Sequence, residues 1–307
     1  MHIGPNTGCF SCPAVLSVQP GHFVCFSCSG RPSVSGDIMI KITTPYFNIR
    51  KIEESGQCFR FEKTGEGVYD IVSGNRTARV SDDVIECDAA DNDFWARYFA
   101  FDDEQIYRTL SSRIGQYDGA GCGFVRYAEK EAFGIRILRQ DPWETLISFI
   151  ISQNNNIPRI RKAVNGLCEI AGDTVRSDLF DREYFLFPTA EQILECRNRL
   201  SCLRLGYREE YLIAASGYFA ENGYDGISST EKVLELKGVG PKVAACYGLF
   251  GLHELNAFPV DTWIRKILQK YFGGDICFLE QFPEGKGILQ QYMFYAERMN
   301  SAKKRSE

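Results

Sequence analysis

Two charged side chains of opposite sign, Lys242 and Asp261, stand where the sequence predicts helix starts. Lys242 follows Gly238-Val239-Gly240-Pro241. The two glycines permit the positive φ values that a sharp reversal needs, and Pro241 suits the first position of a helix. At the second helical position the Lys242 amine lies near the positive end of a helix dipole, which disfavours its charged form. A neutral amine is a nucleophile. Asp261, in Phe258-Pro259-Val260-Asp261, is a natural N-cap for the following helix. A nucleophile and a carboxylate brought together suit displacement at a sugar carbon, where the carboxylate stabilises an oxocarbenium-like centre. Cys246, four residues after Lys242, shares its helix face. The backbone N–H groups of a glycine-rich turn before a helix can also hold a nucleic-acid phosphate, which makes Gly238 and Gly240 candidate contacts.

The elements that must position these groups span residues 228–270: helix, tight hairpin, helix, extended turn, helix. Ser228, Ser229 and Thr230 offer N-caps, and Val233, Leu234 and Leu236 supply an apolar face. Upstream, Asp141-Pro142 opens a buried helix, PWETLISFIISQ, that runs into Asn154-Asn155-Asn156 and Arg159. Three asparagines are poor helix formers and good hydrogen-bonders. A Gly206-Tyr207-Arg208 turn follows the expected helix TAEQILECRNRL and could present an aromatic wedge and a cation. Beyond Tyr271 a last amphipathic helix carries Gln290 and, four residues on, Phe294; the tail AKKRSE is expected to be disordered. Residues 39 to about 133 read as short alternating strands, with a hairpin signal at Ser73-Gly74-Asn75, and then as one helix over DNDFWARYFAFDDEQIYRTLSSRI.

The chain of 307 residues is long enough for two or three domains. Wholly apolar runs are short, such as Phe149 to Ile151, too short to span a bilayer. The N-terminus lacks the basic start and apolar core of a signal peptide, so a soluble, cytoplasmic, nucleoid-associated protein is expected. A net charge of −5 argues against a nonspecific nucleic-acid coat, yet residues 232–270 hold six Lys/Arg against three acidic residues, a local net of +3. Eight of the twelve cysteines are scattered from Cys58 to Cys277 and read as reduced and buried. The other four form two CxxC pairs, Cys9/Cys12 and Cys25/Cys28, separated by twelve residues. That spacing fits a structural Zn(Cys)4 ribbon; the competing reading is a non-native extension before Met39.

LKGVGPKVA…FPVD resembles the helix-hairpin-helix DNA glycosylases, and the lysine places it with the glycosylase/abasic-site lyases. Ser55-Gly56-Gln57-Cys58-Phe59-Arg60-Phe61 resembles the signature of the eukaryotic-type 8-oxoguanine DNA glycosylases, here in bacterial form. The resemblance covers about Met39 to Tyr295, with five motifs in the expected order. It implies an α+β fold: an N-terminal antiparallel β-sheet domain (39–135) after the Cys-rich segment (1–38), then a mostly helical helix-hairpin-helix domain (136–307). It implies excision of 8-oxoguanine opposite cytosine from damaged duplex DNA by a monomer, with no cofactor required for catalysis. Lys242 becomes the Schiff-base nucleophile and Asp261 its carboxylate. The Gly56 carbonyl checks N7–H of the lesion; normal guanine presents a bare acceptor there. Cys246 and Phe294 sandwich the base and Gln290 reads its Watson–Crick edge. Asn154 fills the gap left by the flipped base, Tyr207 wedges the duplex, and Arg159 and Arg208 contact the orphaned cytosine. Trp263 stands where animal members often carry histidine. The alternatives are excision of other oxidised or alkylated bases, or a noncatalytic helix-hairpin-helix module. Only Cys277 follows the catalytic motif, which excludes the four-cysteine iron–sulfur loop of the endonuclease III branch.

Overall fold

The computed structural model describes residues 14–19, 22–27, 37–224 and 229–306. Strands β1 (Ala14–Gln19), β2 (His22–Ser27), β3 (Asp37–Lys41), β4 (Phe61–Gly65), β5 (Val68–Ser73), β6 (Arg76–Val80) and β7 (Val84–Asp88) form one sheet in the order β2-β1-β3-β7-β6-β5-β4. From β3 to β4 every pairing is antiparallel; β1 joins β3 in parallel. The β5–β6 hairpin turns through Gly74-Asn75 with Gly74 at φ +57°, the left-handed value that a glycine at the first central position supplies. Asp70 and Arg79 face each other across this pair, and the guanidinium donates to both carboxylate oxygens at 2.8 and 3.1 Å.

The helices are α1 (Ile49–Glu54), α2 (Asn92–Tyr98), α3 (Glu104–Gln116), α4 (Cys122–Ala132), α5 (Pro142–Ser152), α6 (Ile157–Ala171), α7 (Ala190–Glu195), α8 (Arg208–Asn222), α9 (Thr230–Leu234), α10 (Pro241–Phe250), α11 (Thr262–Phe272) and α12 (Lys286–Ser306). A two-stranded ribbon, β8 (Thr174–Ser177) with β9 (Arg182–Phe185), interrupts them. One apolar core fills the sheet side, with Ile40, Ile71, Ile85, Trp95 and Phe99 fully buried; a second fills the helical side.

Several expectations need correction. The single helix expected over 91–114 is two, α2 and α3, because Ala100 adopts φ +51° and turns the chain between them. Helices α3 and α4 then bury Tyr107, Leu110, Ile114, Phe124 and Val125 in the helical core. These two helices lie within the segment 39–135 expected as the N-terminal domain yet pack in the helical core, while Leu138, just beyond that segment, packs in the sheet-side core. The boundary at 38/39 falls inside β3. The tail is not disordered over its length, since α12 continues to Ser306. Cys9, Cys12 and Cys28 lie outside the described residues, and so does the Cys25 side chain, so the zinc expectation falls there too. Of the remaining eight cysteines, five are buried while Cys202 and Cys277 are exposed; all eight are free thiols. No helix among the described residues is long and apolar enough to cross a membrane.

The two cores are joined by the segment after α4. Arg136, fully buried, donates to the Phe99 carbonyl at 2.9 Å, to the Tyr46 carbonyl at 3.2 Å and to that of Ala100, and sits 4.7 Å from the Tyr107 ring centroid. A buried cation each of whose three nitrogens donates to a carbonyl is tolerated where an unpaired one would not be.

Candidate active site

Lys242 occupies the second position of α10, as its spacing from Gly240 requires. Its ammonium donates to the Ser152 hydroxyl at 3.2 Å and lies 5.0 Å from the Phe149 ring centroid. Both partners sit on α5, three residues apart and so on one face. Ser152 spends its own proton on the Phe149 carbonyl at 2.8 Å, which leaves an oxygen lone pair to receive the amine. Phe149 is braced by Phe250, stacked at 5.3 Å, and by Phe59, edge-on at 5.8 Å. The amine is thus aimed by a hydroxyl and an aromatic face. Cys246 is buried one turn on, and burial pushes its thiol up although Lys242 nearby acts the other way. It is a neutral, polarisable wall rather than a competing thiolate.

Asp261 caps α11, accepting the Ile264 N–H at 2.8 Å. Two residues upstream the Pro259 carbonyl accepts from Gln290 Nε2 at 3.1 Å, and Gln290 Oε1 accepts from Gln291 at 3.0 Å. These bonds fix the Gln290 amide plane, yet each end retains a hydrogen-bonding valence, since the amide carries two donors and two lone pairs. Phe294 follows on the same helix, half-buried. Gly56 has φ +77°, and a Cβ built there would lie 3.9 Å from the Phe294 ring and 2.7 Å from Ile157 Cδ1. A glycine is needed here for both conformation and closeness. The chain thus brings Gly56 against Phe294 and Gln290 against the Pro259 carbonyl, with Asp261 near enough to Cys246 to act on its thiol.

Gln57, which sequence reasoning passed over, locks the Gly56 loop in place. Its side chain donates to the Arg136 carbonyl at 2.8 Å and to Ser55 Oγ at 3.0 Å, and accepts the Leu138 N–H at 2.9 Å. Ser152 and Phe149 were passed over as well. Their only sequence signal is a phenylalanine and a serine at i, i+3 in the mostly apolar second half of that helix.

The loops expected to meet nucleic acid lie together. Asn154 is exposed at φ +46°. Asn156 caps α6 by accepting the Arg159 N–H at 3.0 Å, and Asn155 donates to the Ile151 carbonyl at 3.3 Å. Arg159 is exposed on the first turn of α6. Tyr207 is 49% exposed, its ring edge-on to Tyr211 at 5.6 Å. Gln153 ties this loop to the hairpin by donating to the Gly238 carbonyl at 2.9 Å.

Arg208 differs from expectation. It is only 8% exposed, and its guanidinium donates to the Gln153 carbonyl at 2.7 Å, the Leu205 carbonyl at 2.9 Å and the Asn154 carbonyl at 2.9 Å. It holds the asparagine loop by its carbonyls instead of presenting a cation outward. The hairpin glycines also differ from each other. Gly238 has φ +84°, whereas Gly240 is extended at φ −99°, ψ 177°, exposed, and open above its Cα. Only Gly238 serves the reversal; Gly240 leaves the start of α10 uncovered.

The chain is similar to several known proteins. The family model for the 8-oxoguanine DNA glycosylase N-terminal domain matches residues 39–146. An N-glycosylase/DNA lyase of Saccharomyces cerevisiae is 35% identical over 164 residues, 47% of this chain and 43% of that protein. The match thus spans less than half the length of the yeast protein. A probable N-glycosylase/DNA lyase of Methanothermobacter thermautotrophicus is 33% identical over 231 residues, 63% of this chain and 70% of that protein. The crystal structure of Clostridium acetobutylicum 8-oxoguanine glycosylase/lyase, bound to double-stranded DNA containing cytosine opposite 8-oxoG, superposes with a TM-score of 0.75 at 28% identity, covering 87% of this chain and 97% of that one.

Proposed function

Because the chain belongs to the 8-oxoguanine DNA glycosylase family of N-glycosylase/DNA lyases, we propose that it excises 8-oxoguanine paired with cytosine from duplex DNA by flipping the base and forming a Schiff base on Lys242. The observation that carries this reading is a chain of contacts between distant segments: Gly56 lies against Phe294 of α12, Gln290 of α12 holds the Pro259 carbonyl two residues before Asp261, and Asp261 acts on Cys246 one turn after Lys242.

The flipped base lies between Cys246 and Phe294, with the Gly56 carbonyl accepting N7–H and the free valences of Gln290 meeting the Watson–Crick edge. Asn154 enters the vacated stack, Tyr207 wedges beside it, and Arg159 reaches the unpaired cytosine. Gly240 and the first turn of α10 receive a phosphate on backbone N–H groups. The Lys242 amine attacks C1′ as the glycosidic C–N bond breaks, and the departing base takes the bonding pair. Asp261 stabilises the oxocarbenium-like charge on the sugar. The C1′ adduct opens to an imine, and loss of a C2′ proton then expels the 3′ phosphate by β-elimination. Neither step uses a metal or an organic cofactor, and the protein acts as a monomer.

The test is base release from duplexes carrying 8-oxoguanine opposite each of the four bases, with guanine opposite cytosine as control. Release that is greatest opposite cytosine and absent from the control supports the reading. Release from oxidised pyrimidines instead of 8-oxoguanine would overturn it.

A further inference from the structure

Helix α1 ends at Glu54, two residues before Gly56, and its last three carbonyls each have a donor, the final two from other helices. Ile52 receives the Ser55 hydroxyl at 2.7 Å and the Ser55 N–H at 3.2 Å. Glu53 receives the Arg161 guanidinium at 2.7 Å, and the same guanidinium pairs with the Glu53 carboxylate. Glu54 receives the Arg298 guanidinium at 2.8 Å. The Glu54 carboxylate is fixed in turn by the Tyr295 hydroxyl at 3.0 Å and by Arg50 at 3.0 Å. Arg161 comes from α6, the helix that begins at the asparagine loop. Arg298 comes from α12, one turn beyond Phe294, and its guanidinium also lies 5.2 Å from the Phe294 ring centroid.

The end of a helix carries partial negative charge on these carbonyls, and two arginines are well matched to it. A helix of six residues has little rigidity of its own. What sets the height and direction of the Gly56 backbone is therefore the pair of arginines that draw α1 toward α6 and α12. We infer that Arg161 and Arg298 are positioning residues that register the Gly56 carbonyl against the Phe294 ring and so set discrimination for the oxidised base. Arg298 acts on both sides of the base site at once: one N–H holds the loop and the guanidinium plane braces the ring. The inference rests on the assignment of Gly56 and Phe294 to base reading.

The base-reading groups matter only while a base is present. The lyase step at a preformed abasic site uses Lys242 but has no base to read. Arg298→Met and Arg161→Met should each slow single-turnover excision of 8-oxoguanine by about tenfold, the factor for one lost charge-assisted hydrogen bond. Strand cleavage at a preformed abasic site should change less than about twofold, within the ordinary scatter of such single-contact effects. Arg298→Lys, which keeps a cation and a donor, should recover part of the excision rate. Thermal unfolding of each variant guards against a folding defect. Equal loss of both activities in Arg298→Met and Arg161→Met would mean a merely structural role and overturn the inference. So would unchanged excision in both variants while the parent protein excises 8-oxoguanine. A parent protein that cleaves abasic sites yet leaves 8-oxoguanine untouched would overturn the base-reading assignment itself, and this inference with it.

Discussion

Substitution of Gly238 by alanine isolates how the hairpin is built. The residue sits at φ +84°, and an added Cβ would lie 2.1, 2.3 and 2.5 Å from three ring carbons of Tyr211. Those separations are far inside contact distance, so the ring or the hairpin must move. The left-handed conformation costs about 1–2 kcal/mol for a residue with a Cβ. Forcing apart a packed contact adds about 1–3 kcal/mol. Gly238→Ala should therefore destabilise by about 2–5 kcal/mol, enough to remove a large share of a typical domain's stability. Urea unfolding of Gly238→Ala, Tyr211→Ala and the double variant measures it. The double variant should recover the contact part and leave the backbone part, a coupling of about 1–3 kcal/mol. Gly240→Ala is the control: that position is extended and meets nothing within 4 Å, so stability should hold within about 0.5 kcal/mol. Its DNA affinity should nevertheless fall, because a methyl group there covers the start of α10. A loss below about 1 kcal/mol in Gly238→Ala, or no coupling to Tyr211, would refute the reasoning.

Other outcomes follow from the same geometry. Gly56→Ala should lose about 1–2 kcal/mol of stability through its φ of +77°; excision should fall further, and Ile157→Ala should not restore it, as paired unfolding and single-turnover assays will tell. Burial pushes the Glu144 carboxyl up from 4.5 to about 7, although Arg60 lies 3.6 Å away. A raised carboxyl stabilises the fold most below 4.5 and loses that contribution as pH climbs through 7. Unfolding free energies of Glu144→Gln should thus be flatter than the parent's between those values, with a difference of at most about 3 kcal/mol. Alkylation of the native protein at pH 8, mapped by mass spectrometry, should label exposed Cys202 and spare Cys246, whose thiol is buried and pushed up. Cys277, also exposed but raised by its bond to Asp275, should react more slowly than Cys202.

The hairpin and its flanking helix starts were legible because their chemistry is local: glycine, proline and an N-cap aspartate fix the backbone within a few residues. The β5–β6 turn and the cap at Asp141 were readable for the same reason, whereas the Asn156 cap of α6 was not read. What stayed hidden depends on partners far along the chain. Gln57 reads as part of a motif, but its role comes from Arg136 and Leu138, about eighty residues away. Arg208 looks like a free cation beside Tyr207; only tertiary packing shows its guanidinium turned onto the carbonyls of Gln153 and Asn154. Lys242 announced itself, while the Ser152 hydroxyl and Phe149 ring that aim it lie in a helix whose apolar run suggested nothing but burial. Helices α3 and α4 follow the sheet in sequence and so read as its companions, although their apolar faces belong to the other core.

The central claim is that Lys242 is the nucleophile of a covalent reaction at the sugar of an 8-oxoguanine nucleotide. The most direct measurement is incubation with an end-labelled duplex carrying one 8-oxoguanine opposite cytosine in the presence of sodium borohydride, which reduces an imine to a stable amine. The account predicts a trapped protein–DNA adduct that is absent with Lys242→Gln, while that variant still binds the lesion duplex. Base release without any adduct, or an adduct that persists in Lys242→Gln, would contradict it.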